Sequence, residues 1–174
     1  MSDLAHRVRQ TIRDVPDFPK EGILFKDITP VLQDGALFAE ITAHLAERYR
    51  DVGVTAIAGV ESRGFILGAP LANALGLPFV LVRKPGKLPS DSIGVDYELE
   101  YGTDRLEVHS DALDGDDVVV VVDDLLATGG TASATVSLLE KLGASVHECA
   151  FIIELSFLEG SSKLGASHYA MLSY

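Results

Sequence analysis

VVVVVDDLLATGGTAS, residues 118–133, is the stretch on which the fold turns. Five consecutive valines, Val118 to Val122, predict a strand buried on both faces, because a strand with one wet face would alternate apolar and polar residues. The strand spans about 117–123 and ends in two carboxylates, Asp123 and Asp124. After a short linker, Ala127, Thr128, Gly129, Gly130 and Thr131 open a helix predicted over 130–142. Ligands of open α/β sheets sit at the carboxyl ends of strands. Glycines let the backbone come close, and the N–H groups of a helix start, helped by the helix dipole, cradle an anion. Thr128 and Thr131 add hydroxyl donors. The segment reads as a phosphate site with two acids about one turn upstream.

Adjacent acids repel a phosphate unless they serve another group. Ribose hydroxyls, which donate to carboxylates, and a divalent cation are the natural partners. No lysine stands in the GK[ST] position, so this is not a nucleotide P-loop, and the dinucleotide GxGxxG pattern is missing too. Taken singly, the acids could cap a helix and the glycines make a tight turn. Their order after a buried strand argues for the site.

Outward from this core, strand and helix alternate. Strands are predicted over 56–60, 78–82 and 146–155, and helices over 35–50 and 65–75, with an edge strand over 167–173. That alternation implies right-handed crossovers and a mainly parallel sheet flanked by helices. Leu4, Val8 and Ile12 mark an amphipathic helix over 3–14. Pro16, Pro19 and Gly22 then interrupt regular structure before an irregular stretch, 23–28. Residues 84–96, with two Pro, two Gly and two Ser, read as a long loop of the kind that is functional or disordered. Short strands over 97–101 and 105–109 follow, antiparallel across a turn at 102–104. The whole, 1–174, suits a single domain.

Lys and Arg number 14 against 26 Asp and Glu, a net charge of −12. Such a surface repels phosphate backbones and argues against nucleic acid as a partner. No apolar run approaches the ~20 residues of a membrane span, and residues 1–14 lack the apolar stretch of a signal peptide. The single cysteine, Cys149, forms no internal disulfide and fits a reducing cytoplasm. Against this acidity four cations stand out: Arg63, Arg83, Lys84 and Lys87. Arg63 follows a predicted strand within Glu61-Ser62-Arg63-Gly64, a plausible oxyanion site or a capped helix start. Glu100, in LEYG, is a lone carboxylate on a predicted strand.

The segment VVDDLLATGGT resembles the phosphoribosyl pyrophosphate motif of type I phosphoribosyltransferases, in the form typical of their adenine-specific members. The likeness extends from FPKEGILFKDITP near the start to the final strand. It implies an enzyme that forms AMP and pyrophosphate from adenine and phosphoribosyl pyrophosphate with Mg²⁺, in purine salvage. The metal would be held mainly by substrate and water. By the same likeness Asp123 and Asp124 bind the ribose hydroxyls, and Ala127 to Thr131 the 5′-phosphate. Glu61, Ser62 and Arg63 form a pyrophosphate loop with a cis peptide before the serine. Arg83, Lys84 and Lys87 reach the pyrophosphate from a lid over 84–100, with the arginine supplied by the second subunit of a homodimer. Residues 1–34 make a hood. Phe25 and Leu125 sandwich the purine, the Leu24 backbone reads adenine, and Lys26 stands where many relatives carry Arg. Glu100 is the acid/base, and Tyr101 beside it helps close the lid. Xanthine or another purine as substrate, or a non-catalytic sensor of phosphoribosyl pyrophosphate, are the alternatives.

Overall fold

The structure, a computed structural model, describes residues 2–98 and 102–174. Glu100 and Tyr101 therefore lie outside the described residues. The chain divides into two compact units, Met1–Glu47 and Arg48–Tyr174, where the sequence suggests one domain. No helix among the described residues is long and apolar enough to cross a membrane.

In the first unit, α1 (Asp3–Thr11) is capped by the Ser2 hydroxyl, which accepts from the Ala5 N–H. The helix stops short of the expected residue 14, because β1 (Arg13–Pro16) pairs antiparallel with β2 (Leu24–Asp27). The stretch expected to be irregular is thus one arm of a hairpin. Its turn uses the helix breakers: Asp17 takes φ 58°, Phe18–Pro19 is cis, and Gly22, at φ 85°, donates its N–H to Asp17 over 2.8 Å. The helices α2 (Thr29–Gln33) and α3 (Gly35–Tyr49) follow, the latter running past the boundary between units.

The second unit begins with β3 (Ala56–Val60), α4 (Arg63–Leu75) and β4 (Phe79–Val82). It continues through β5 (Ser92–Glu98), β6 (Thr103–His109), β7 (Val118–Leu126), α5 (Gly130–Lys141), β8 (Ser145–Glu154) and β9 (His168–Ser173). Five strands form an all-parallel sheet in the order β4-β3-β7-β8-β9. The valine strand is its centre, and Val119 to Val122 are buried as their unbroken apolar run requires. Helix α4 packs on β3 and β7, and α5 on β7 and β8.

The long loop is shorter than expected. It runs only to about residue 91, because Ser92–Glu98 pairs antiparallel with β6, from Ser92 opposite His109 to Glu98 opposite Thr103. Ile93, Val95 and Tyr97 pack on the core at alternating positions. Gly94 between them clears the Arg105 guanidinium, 2.5 Å from where a Cβ would sit. The central strand also extends to Leu126, so Asp123 and Asp124 lie within it rather than beyond its end.

Candidate active site at the carboxyl end of the sheet

Two strand-to-helix junctions, β3–α4 and β7–α5, open onto one cavity of about 310 Å³, lined by 61–63, 123–132, Lys84 and Phe151. The second junction is built of backbone. Gly129 caps α5 in the left-handed region at φ 79°, where glycine pays no steric penalty. Ser133 donates its N–H to the Gly129 carbonyl at 2.9 Å, closing the first turn. The earliest N–H groups of a helix have no partner within it, and those of α5 open toward the cavity, where such groups can cradle an anion. Behind the turn, Gly129 and Gly160 meet backbone to backbone: a Cβ on either would collide with the other's segment.

The first junction is built of charge and of an unusual peptide. Glu61–Ser62 is cis, as the family likeness implies. Arg63, first residue of α4, donates Nε to Asp124 Oδ2 at 2.5 Å. Asp124 is 3% exposed, so its carboxylate is held in the interior by this cation. The junctions also touch directly. A Cβ on Gly64 would strike the Val122 carbonyl and come within 3.3 Å of Asp123 Cα.

The Asp123 carboxyl is pushed well above the usual carboxylate range, first by burial and then by the charge of Asp124. Glu61 is held below it, first by the Lys84 backbone N–H, which donates at 2.9 Å, and by the Arg83 guanidinium. Burial pulls the Lys84 ammonium down, but hydrogen bonds to Asp104 and Tyr97 outweigh it and leave it raised.

The expected residues do not all converge. Arg63 and Lys84 line the cavity, whereas Arg83 and Lys87 do not. Arg83 instead lies along Glu61, 3.3 Å from Oε2, and donates to the Lys87 carbonyl at 3.0 Å. Leu125 lines the cavity. Leu24, Phe25 and Lys26 lie on β2 in the first unit, with Leu24 51% exposed. There the Phe25 ring meets Phe18 edge-on at 5.1 Å, and Lys26 pairs with Asp14 at 2.7 Å.

Leu126, Ala132 and Phe151 line the cavity too. Nothing in the sequence marks them, since apolar residues on buried elements read as core. Gly160 is equally silent, because its role rests on contact with a segment some thirty residues earlier.

A buried parallel strand delivers two acids to a glycine-led helix start, with cations on the same rim, in an α/β fold with a central parallel sheet. The phosphoribosyl transferase domain family matches residues 28–167. The adenine phosphoribosyltransferase of Sodalis glossinidius is 52% identical over 96% of this chain and 93% of its own. The crystal structure of the enzyme from Thermoanaerobacter pseudethanolicus superposes with TM-score 0.94 at 49% identity, covering 98% of this chain and 99% of that one. The Saccharomyces cerevisiae enzyme, solved with an imino-altritol bisphosphate and adenine, gives TM-score 0.94 at 41% identity, covering 99% and 100%. This chain belongs to the type I phosphoribosyltransferase family, and these relatives are its adenine-specific members.

Proposed function

We propose that the chain is an adenine phosphoribosyltransferase, forming AMP and pyrophosphate from adenine and phosphoribosyl pyrophosphate in purine salvage. The observation that carries this is the union, in one cavity, of an acid pair, a helix-start anion cradle and two cations. A ribose, its 5′-phosphate and its leaving pyrophosphate ask for those three features. The yeast relative solved with adenine supports the choice of base.

Asp123 and Asp124 accept from the ribose hydroxyls, and the N–H groups and hydroxyls of 127–131 hold the 5′-phosphate. Glu61, Ser62, Arg63 and Lys84 form the pyrophosphate end, with Arg83 and Lys87 beside it. The family likeness assigns the purine faces to Leu125 and Phe25, with Lys26 beside Phe25 in the chain, and the adenine edge to the Leu24 N–H and C=O. Glu100 manages the proton on the imidazole side as N9 bonds to the ribose carbon and pyrophosphate departs, and Tyr101 closes over it. Mg²⁺ fits a site where the Asp123 carboxyl faces a cavity made for polyanions, and when bound it would offset charge on the leaving pyrophosphate. A homodimer in the cytoplasm completes the reading.

The test is AMP formation with adenine, hypoxanthine, guanine and xanthine offered in parallel. Backbone recognition of the amino group predicts that adenine exceeds hypoxanthine by at least ~10⁴ in kcat/KM, as unpaired buried polar groups allow. Comparable turnover of hypoxanthine or xanthine would reassign the base. For Glu100→Gln, single-turnover rates should fall by about two orders of magnitude. A chemical step at the wild-type rate would reduce Glu100 to a lid contact.

A further inference from the structure

Lys84 has two faces. It lines the substrate cavity, yet its ammonium is donated to the Asp104 carboxylate and, at 3.2 Å, to the Tyr97 hydroxyl. Tyr97 also donates to the same Asp104 oxygen at 3.2 Å. The two residues are direct cross-strand partners on β5 and β6, one pair before the last register pair of the hairpin, Glu98 opposite Thr103. On its other side Tyr97 reaches the phosphate cradle: Thr131 Oγ1 is 3.5 Å from its hydroxyl, and its ring is 3.6 Å from where a Gly130 Cβ would lie. The backbone N–H of Lys84 is tied to Glu61. One lysine thus joins the Glu61 loop, the start of α5 and the turn end of a hairpin.

We propose that Asp104, with Tyr97, is a positioning residue that holds the Lys84 ammonium on the hairpin, so that a pyrophosphate group entering the cavity must take this cation from a carboxylate of the chain itself. The proposal rests on the pyrophosphate role of Lys84 given above. An ammonium bonded to Asp104 has part of its charge already answered. The incoming anion gains its attraction to Lys84 less the bond that Lys84 gives up. Affinity for pyrophosphate is therefore set below what the same lysine would supply unpaired. Because Asp104 and Tyr97 sit toward the turn end of the hairpin, exchange of partners by Lys84 also removes a bond between the hairpin and the cavity rim.

The experiment is calorimetric titration of the full-length chain with inorganic pyrophosphate and Mg²⁺. Asp104→Asn keeps the side-chain shape and removes the charge that holds Lys84. It should tighten pyrophosphate binding about two- to fivefold, the range of a partly exposed ion pair. Asp111→Asn, at an exposed acid on the turn after β6, removes the same unit of charge without touching Lys84 and should leave affinity unchanged. In a Lys84→Met background, Asp104→Asn should have no effect, since the cycle isolates the pair. Tyr97→Phe should give a smaller gain in the same direction. Thermal unfolding of each variant checks that the fold persists. Weaker or unchanged binding by Asp104→Asn, with Lys84→Met clearly impaired, would overturn the guard and leave the role of Lys84 standing. Wild-type affinity in Lys84→Met would overturn that role and the proposal with it.

Discussion

The two junctions that meet in the cavity solve one problem by opposite means. At β7–α5 the proposed anion site is made by backbone: a left-handed glycine, helix-start N–H groups, and a second glycine, Gly160, supporting the turn from behind. No side-chain charge of this junction is needed to attract a phosphate. At β3–α4 the work falls to charge, with Arg63 on Asp124 and Arg83 on Glu61. The first arrangement is fixed by sterics and tolerates no Cβ. The second is balanced among ionised groups and can be re-partnered when a ligand arrives. In the proposed reaction, a neutral cradle suits the 5′-phosphate, which stays bound throughout, and an adjustable set of cations suits a pyrophosphate that leaves.

Three changes test that contrast. The largest effect belongs to the backbone junction. Gly129→Ala requires a left-handed alanine and drives a Cβ into Gly160. A displacement of about 1 Å at a positioning element costs on the order of 10² in rate, and kcat/KM for phosphoribosyl pyrophosphate should fall at least that far. Retention of activity would mean that the cradle adapts as freely as the charged junction.

Next comes the ion pair. Arg63→Met leaves Asp124 buried beside Asp123 without its cation. Arg63 is 46% exposed at its side chain, so the loss should lie below that of a fully buried pair, at about 1–3 kcal/mol by denaturant unfolding. Adding Asp124→Asn should recover much of it. A destabilisation unchanged by the second substitution would assign the loss to packing by the arginine stem.

The smallest effect carries the opposite sign. Burial and Asp124 raise the Asp123 pKa in the fold, so the unfolded chain gives up this proton first. Ionisation therefore costs stability: the cost is absent below the unfolded value near 4 and grows as pH rises through the folded value. Asp123→Asn should raise Tm at pH 7 by about 2–4 °C, the equivalent of roughly 1 kcal/mol, while impairing use of phosphoribosyl pyrophosphate. The gain should shrink as pH is lowered toward 4. A variant less stable at pH 7 would show that the Asp124 N–H, which donates to Asp123 at 2.9 Å, outweighs the repulsion.

The same contrast explains what the sequence made legible. Val118 to Val122 announce a strand buried on both faces, and the acids, threonines and glycines that follow are contiguous, so the segment from strand to helix start could be read along the chain. The charged junction was only half visible. Glu61, Ser62 and Arg63 are contiguous, but the partner of Arg63 lies 61 residues away. Likewise Asp104 and Gly160 act through contacts that sequence order does not display. Strand β5 escaped because Ile93, Val95 and Tyr97 alternate with Ser92, Gly94 and Asp96, weak strand formers whose proline- and glycine-rich flank reads as loop. Strand β1 was hidden in the tail of an amphipathic helix, and only its pairing with β2 separates the two.

The central place of β7 has a kinetic consequence. Its amides bond to β3 on one side and β8 on the other, and they are reached by solvent only when the sheet itself opens. They should belong to the slowest class in hydrogen–deuterium exchange, reporting the global unfolding free energy rather than a local one. Asp123 and Asp124 are carried on that same rod. On the proposed reading, the sugar would be gripped by the part of the molecule that opens last, and the spacing between its hydroxyl acceptors and the phosphate cradle would persist from one turnover to the next.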